Sequence, residues 1–259
     1  MLGMRKHAAS LYKSYKLFFI SEAESVQLCG CQADFQIKSL KDYNQVVNFE
    51  SHEGTMFKDI IENLEYDDVF FDIGAHIGLY SCLIQDHLKD GQVVAFEPHP
   101  ANYEQLEQNI SLNKQSIQTH NLALGNQNTE MGLSVSSMES GTGNSSLLGD
   151  DKNNTVACSV RKGDRLISEN IVPLPDIIKI DVEGAEFNVL SGLREILEMG
   201  TVRAIYCEVH EESTVGPSLS SFDSSVDDLY TFFDKIGFDV TILEKRDRDF
   251  HIRADNKKS

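Results

Sequence analysis

Val69-Phe70-Phe71-Asp72-Ile73-Gly74-Ala75-His76-Ile77-Gly78 is the stretch on which the reading of this chain turns. Its apolar run reads as a buried strand that ends in a glycine turn, and the spacing from about Ile77 to Leu88 reads as a helix. A strand, a glycine turn and a helix in that order aim the backbone N–H groups of the helix start into the crevice beyond the strand. Gly74 and Gly78 permit close backbone approach and unusual dihedrals, and Ala75 and His76 between them lie at the same edge. A dinucleotide fingerprint would need glycine where His76 stands, so the turn is not built for a pyrophosphate. Asp72 instead suits a ligand with an ammonium group and no phosphates, held directly or through water.

Working outward, Gln92 to Glu97 reads as a second strand closed by Pro98 and Pro100. Glu97 ends it where an acid can accept hydrogen bonds from both hydroxyls of a ribose. Ala101 to Asn113 has helical spacing, and Ile117 to Leu124 reads as a third strand. Two alternating runs, Met131–Ser136 and Thr155–Val160, then flank a Gly/Ser/Asn-rich stretch at 140–154, which reads as an inserted hairpin with a long flexible tip. Gly141, Gly143 and Gly149 make that tip a candidate substrate lid. Ile177–Val182 and Arg203–His210 read as the fourth and fifth strands, separated by a helix at Ala185–Glu198. A helix at Val226–Ile236 and two strands, Phe238–Leu243 and Phe250–Arg253, complete the chain.

Alternating βα units ending in a β-β pair predict an α/β fold of Rossmann-like type. Its sheet is expected to have seven strands, mostly parallel, with an antiparallel last strand. Residues 68–259 form the expected ligand-binding domain. Residues 1–67 form a basic segment followed by a cap of strands and a helix.

The chain has 259 residues, 41% of them hydrophobic, enough to bury a core without staples. No apolar run reaches the roughly 18 residues that crossing a bilayer requires. The cysteines, Cys29, Cys31, Cys82, Cys158 and Cys207, are odd in number and form no disulfide framework. Cys29 and Cys31 have no second pair, so no metal site is expected. The net charge of −18 argues against nucleic-acid partners. Residues 1–20 run the other way: Arg5, Lys6, Lys13 and Lys16 alternate with aromatic and aliphatic side chains. That segment is either a first packed helix or a basic surface for peripheral membrane contact. A cytoplasmic protein, in contact with the inner membrane surface if the second reading holds, is expected.

A third motif carries the chemistry: Ile178-Lys179-Ile180-Asp181-Val182-Glu183-Gly184-Ala185-Glu186. Ligands in open α/β sheets lie beyond the carboxyl ends of the strands, where Asp181 ends the fourth strand and Glu183 follows it. Glu208 and His210 share one face of the fifth strand through period-two alternation. For Glu186 the helix dipole is a sufficient reason.

Taken in order, residues 71–78, Phe96-Glu97-Pro98, Ala123-Leu124-Gly125 and residues 178–186 resemble the FkbM-type methyltransferase family over roughly residues 50 to 210. Asparagine is the more common residue there at position 76. The resemblance implies S-adenosylmethionine as cofactor, bound by Asp72, Gly74, Gly78 and Glu97, and Ala75, His76 and Asp181 are expected to bind it beside them. It further implies Glu53 at the cofactor's methionine end and Asn121 and Leu122 beside the adenine. It implies methyl transfer to a hydroxyl of a glycan or lipid-linked sugar, with a small secondary metabolite as the alternative acceptor. A catalytically silent cofactor-binding protein on the same fold is the other alternative. A hydroxyl needs a general base, and Asp181 or His210 is expected to supply it, with Glu183 and Glu208 orienting the acceptor. Asp181, Glu208 and His210 would also suit a divalent metal, though none is expected.

An acidic surface repels itself, and salt screens that repulsion. The midpoint of thermal unfolding is therefore expected to rise with KCl concentration. A midpoint indifferent to KCl would remove salt adaptation as the reason for the acidic composition.

Overall fold

The computed structural model describes residues 22–135, 145–146, 155–211, 217–246 and 249–258. It begins with a hairpin, β1 (Ala23–Leu28) and β2 (Cys31–Gln36), and two helices, α1 (Leu40–Val47) and α2 (Phe49–Asn63). There follow β3 (Val69–Ile73), α3 (Leu79–His87), β4 (Gln92–Phe96), α4 (Pro100–Leu112) and β5 (Gln118–His120). An excursion contains β6 (Ala123–Leu124), β7 (Thr129–Val135), β8 (Ser145–Ser146) and β9 (Thr155–Arg161), and leads into α5 (Gly163–Ser168). The last part holds β10 (Ile177–Ile180), α6 (Glu186–Gly192), α7 (Arg194–Met199), β11 (Ala204–His210), α8 (Val226–Ile236), β12 (Phe238–Lys245) and β13 (Asp249–Asn256).

Seven strands form the central sheet in the order β12-β13-β11-β10-β3-β4-β5. β3, β4, β5, β10 and β11 pair in parallel, and β13 is antiparallel to both of its neighbours. The expected Rossmann-like architecture is therefore present, with its single reversed strand. The short connection between β12 and β13 forces antiparallel pairing, and that inserts β13 beside β11.

Continuous apolar runs appear where both faces of a sheet are covered. Phe71, Ile73, Val94, Ile178 and Ile205 face α6, α7 and α8 in one hydrophobic cluster. Phe70, Val93, Ala95, Ile177 and Tyr206 face the opposite cluster, built with α2, α3 and α4. Phe35 of the first hairpin and Phe49, Phe57 and Ile60 of α2 belong to this second cluster. The region expected as a cap of strands and one helix thus has two helices and packs into the same core as β3. Arg203 clamps the far edge of the sheet with two bonds to the buried Asp68, at 2.8 and 2.6 Å.

Three expectations need correction. The third strand is not continuous to Leu124: Asn121 and Leu122 turn, so 118–120 pair with β4 while Ala123–Leu124 pair with β9. The helix expected at Ala185–Glu198 is two helices, broken at Gly192 and Leu193. A Cβ on Gly192 would lie 2.0 Å from the carbonyl oxygen of Gly125, so close backbone approach chose glycine there at the cost of helix continuity. The inserted hairpin, β7 with β9, grows into a four-stranded sheet through β6 and β8. Apart from β8, the proposed lid at 140–154 lies outside the described residues, as does the basic segment 1–20.

The turn after β3 is fixed by its neighbours. Gly74 and Ala75 donate to the carbonyl of Phe96 at 3.0 Å each, and Gly74 has φ 82°. A Cβ on Gly74 would lie 1.8 Å from the Asp181 carbonyl oxygen, so the ends of β3 and β10 touch backbone to backbone.

Behind this contact Lys179 is buried in the middle of β10. Its ammonium is 3.2 Å from Asp72 Oδ1, 3.6 Å from Asp181 Oδ2 and 3.3 Å from the Gly74 carbonyl. Burial disfavours its charge, but Asp72 and Asp181 outweigh that and hold its pKa above the ordinary lysine value. Removing one member of a buried pair strands the other. Lys179→Met is expected to cost about 3 kcal/mol in urea unfolding. Asp72→Asn in the same background should restore part of it, and a double variant less stable than Lys179→Met would contradict the pairing.

Candidate functional site

Beyond the carboxyl ends of β3, β4, β10 and β11 lies a crevice of about 280 Å3. One wall is apolar: Ile73, Phe96, Leu122, Leu124 and Leu133 line it. The other carries charge from Glu53, Asp181, Glu183, Glu208 and His210, with Lys179 beneath.

Glu97 ends β4 at the floor. Its Oε2 accepts from the His76 N–H at 2.8 Å and its Oε1 from the His99 N–H at 2.8 Å. Burial pushes its pKa up to about 7, against the pull of those N–H groups and of Asn102. These bonds lock the carboxylate in place at the crevice, with acceptor capacity left for a ribose hydroxyl. His76 lines the crevice in the left-handed region, φ 53°. Burial lowers its pKa to about 4, so its ring is neutral, and its Nε2 is buried without a hydrogen-bond partner. A lining residue with an orphaned ring nitrogen fits a crevice that a polar ligand completes.

Not every expected cofactor residue reaches the crevice. Asp72 is fully buried and is not part of the lining. Ser81 donates to its Oδ2 at 2.6 Å and Lys179 faces its Oδ1, so it holds Lys179, whereas the expectation is a ligand ammonium held directly or through water. Gly78 also misses the lining; a Cβ there would meet Leu106 Cδ1 at 2.5 Å, so it serves the packing of α3 on α4. Asn121 donates to the backbone carbonyl of Glu97 at 2.8 Å, outside the lining, whereas Leu122 is within it. Gly74, Ala75, His76, Glu97, Glu53 and Asp181 all line the crevice.

The four residues expected to carry chemistry, Asp181, Glu183, Glu208 and His210, are brought to one crevice in two groups. In the first, His210 Nδ1 is 2.5 Å from Glu186 Oε1, and its Nε2 is 3.8 Å from Glu183 Oε2. Glu186 also accepts from the Gly184 N–H at 2.9 Å, which ties the strand end to the turn. Burial disfavours the imidazolium, but the bond to Glu186 and the acids around it raise the His210 pKa to about 10. His210 is therefore charged at neutral pH. Glu183 is held at φ 50°, next to Gly184 at φ 91°, and faces the crevice. Burial, then the charge of Asp181, raises its pKa to about 7. Burial pushes Asp181 up too, but Lys179 and the neighbouring histidines bring it below the usual carboxylate value.

The second group gathers Glu208, Glu53, Arg246 and His251. Tyr80 donates its hydroxyl to Glu53 Oε2 at 3.0 Å. Arg246 approaches Glu53 Oε1 at 3.4 Å and Glu208 Oε1 at 3.5 Å, and also bonds the His52 carbonyl.

Lys179, Tyr80, Glu186, Arg246 and His251 were not singled out as site residues from sequence. Lys179 left a usable sign: a lysine inside Ile177-Ile178-Lys179-Ile180 needs an acid on a neighbouring strand. His251 and Arg246 left none, because the pairing of β13 with β11 brings the first here and the connection from β12 to β13 the second.

Among the described residues no helix is long and apolar enough to cross a membrane. The family model described as "Methyltransferase FkbM domain" matches residues 72–240. The chain is 26% identical to the hexuronic acid methyltransferase AglP of Haloferax volcanii, covering 71% of this chain and 73% of that one. It is 28% identical to the methyltransferase sdnD of Sordaria araneosa, covering 70% and 77%. A putative rRNA methylase of Clostridium thermocellum shares the fold, with a TM-score of 0.50 at 8% identity over 78% of this chain and 93% of that one. With about two-thirds of its length matched, the chain belongs to the FkbM methyltransferase family.

Proposed function

We propose that this methyltransferase methylates a hydroxyl oxygen of a sugar, in a glycan or a lipid-linked saccharide. The observation that carries the reading is Glu183, a carboxylate with a pKa of about 7 that faces the crevice. Similarity to a hexuronic acid methyltransferase supports a sugar as the acceptor.

S-adenosylmethionine supplies a methyl group on a cationic sulfur. The residues of the crevice fit such a ligand: Glu97 accepts from the ribose hydroxyls, Leu122 and its apolar neighbours cover the adenine, and Asp181 favours positive charge. What remains for the chain is to align the acceptor, exclude water and remove one proton.

Glu183 is the better base. A group with a pKa near the working pH combines a useful ionised fraction with real basicity. His210, charged by its bond to Glu186, has no free lone pair to accept a proton, and Asp181 is too weakly basic beside Lys179. This reading gives to Glu183 the proton that the sequence expectation gives to Asp181 or His210, with His210 holding Glu183 and the turn in place.

Catalysis through Glu183 requires its ionised form, so kcat/KM is expected to rise with pH through about 7 and then level off. Glu183→Gln should lower kcat by roughly 100-fold or more with little change in cofactor affinity. Near-full turnover in that variant would return the base role to another residue. Glu97→Gln exchanges a charged acceptor for a neutral one, and calorimetry should show S-adenosylhomocysteine binding weakened roughly 10- to 100-fold. Unchanged affinity would detach Glu97 from the ribose.

A further inference from the structure

One group of side chains at the edge of the crevice has no part in the steps above. Pairing of β13 with β11 sets His251 opposite Glu208, and pairing with β12 sets it opposite Glu244. Helix α2 brings Glu53 to the same point, and one ligand atom from each of Glu53, Glu208 and His251 lies within 4.8 Å of the others. His251 is fully buried, and neither of its ring nitrogens has a hydrogen-bond partner. Its Nε2 is 3.8 Å from Glu53 Oε2 and 3.7 Å from Glu208 Oε2, too far for hydrogen bonds. Its Nδ1 is 3.8 Å from Glu244 Oε2, an atom that is itself buried without a partner. Arg246 faces the Oε1 atoms of Glu53 and Glu208, so one oxygen of each remains turned toward the imidazole.

We propose that Glu53, Glu208 and His251 hold a divalent first-row cation such as Mn2+ or Zn2+. One imidazole nitrogen and two carboxylate oxygens are a donor set these ions accept. Ligand atoms about 2.0–2.2 Å from a metal stand roughly 3–3.5 Å apart. The two separations from the imidazole, 3.7 and 3.8 Å, are a few tenths of an ångström longer, and the two carboxylate oxygens lie within 4.8 Å of each other. Glu53, Glu208 and Glu244 set three negative charges against the one positive charge of Arg246, which leaves two for the ion to balance. Glu244 Oε2, 3.8 Å from Nδ1, would need a similar closure to accept the Nδ1–H and serve as the outer carboxylate that orients most metal-bound histidines. The cation would satisfy the orphaned Nε2, and a small closure would let Glu244 satisfy Nδ1.

Three protein ligands leave positions open for water or for oxygen atoms of an acceptor. That use of the ion rests on the reading of the crevice as a sugar methyltransferase site, whereas binding of the ion does not. The site also takes Glu53 from the cofactor's methionine end, where the family resemblance put it, and gives it to the cation. The donor set differs from the Asp181, Glu208 and His210 combination visible in the sequence, because His251 arrives through strand pairing.

The test uses the full chain, stripped with a chelator and returned to chelator-free buffer. Mn2+ is titrated against it with the paramagnetic resonance of free aqueous Mn2+ as readout, and Zn2+ by calorimetry. One equivalent should bind, at least about 10-fold more weakly in Glu208→Gln and in His251→Gln, and about 10- to 100-fold more weakly in Glu244→Gln. Circular dichroism establishes that each variant is folded; should His251→Gln unfold, the isosteric Glu208→Gln and Glu53→Gln carry the test. S-adenosylhomocysteine is titrated against the same samples. Binding of neither metal to a chain that binds S-adenosylhomocysteine overturns the site, as does metal binding indifferent to Glu53→Gln and Glu208→Gln. Loss of S-adenosylhomocysteine affinity in Glu53→Gln without any metal binding would return Glu53 to the cofactor. Metal binding by a chain that ignores S-adenosylhomocysteine would uphold the site and undo the reading of the crevice.

Discussion

The buried ammonium of Lys179 joins the strands on which the site is built. Extending from the centre of β10, it reaches Asp72 on β3, Asp181 at its own strand end and the carbonyl of Gly74 in the turn between. It also lies 4.9 Å from the centre of the Tyr80 ring, under the helix that the turn begins. A cation in such a place is tolerated only while its partners stay, and the partners are immobile for the same reason. Strand ends, turn and first helix are therefore set by one electrostatic knot. Glu97 and Asp181 inherit their positions from it, the first through the bonds from residues 74 and 75 to Phe96, the second directly.

The crevice above this knot divides by chemistry. Its apolar wall comes from strand ends and from Leu122, Leu124 and Leu133, where the main sheet hands over to the smaller one. Its charged wall holds more acids than bases, which suits a cofactor that arrives as a cation. Within that wall the acids are not equivalent. Asp181 is kept ionised by Lys179, Glu186 is consumed by His210, and Glu183 is left half-buried with a raised pKa. Three carboxylates within a few residues of one another acquire three duties because their neighbours differ.

Much of this could be read along the chain. The strand runs at residues 69–73, 177–180 and 204–210 are bounded by turn signals and are apolar except for Asp72, Lys179, Glu208 and His210, the mark of strands covered on both faces. The glycine turn announced itself because only glycine tolerates φ 82° with a carbonyl pressed against it. Glu97, Asp181, Glu183, Glu208 and His210 could be placed at one crevice because strand ends in such a sheet all open on the same side. What misled was local sequence without its partner. Asp72 reads as a ligand for an ammonium group, and it is one, but the ammonium belongs to Lys179.

By itself, then, the sequence determined the order of elements, the two-faced core and the edge of the sheet at which chemistry gathers, since these follow from periodicity and turn chemistry. Only the tertiary structure decided which ionised group meets which. The His210 bond to Glu186, the burial of Asp72 and the meeting of Glu53, Glu208 and His251 each join residues that sequence spacing does not bring together. Protonation states depend on such meetings because electrostatic energies vary with separation and burial, and strand order sets both.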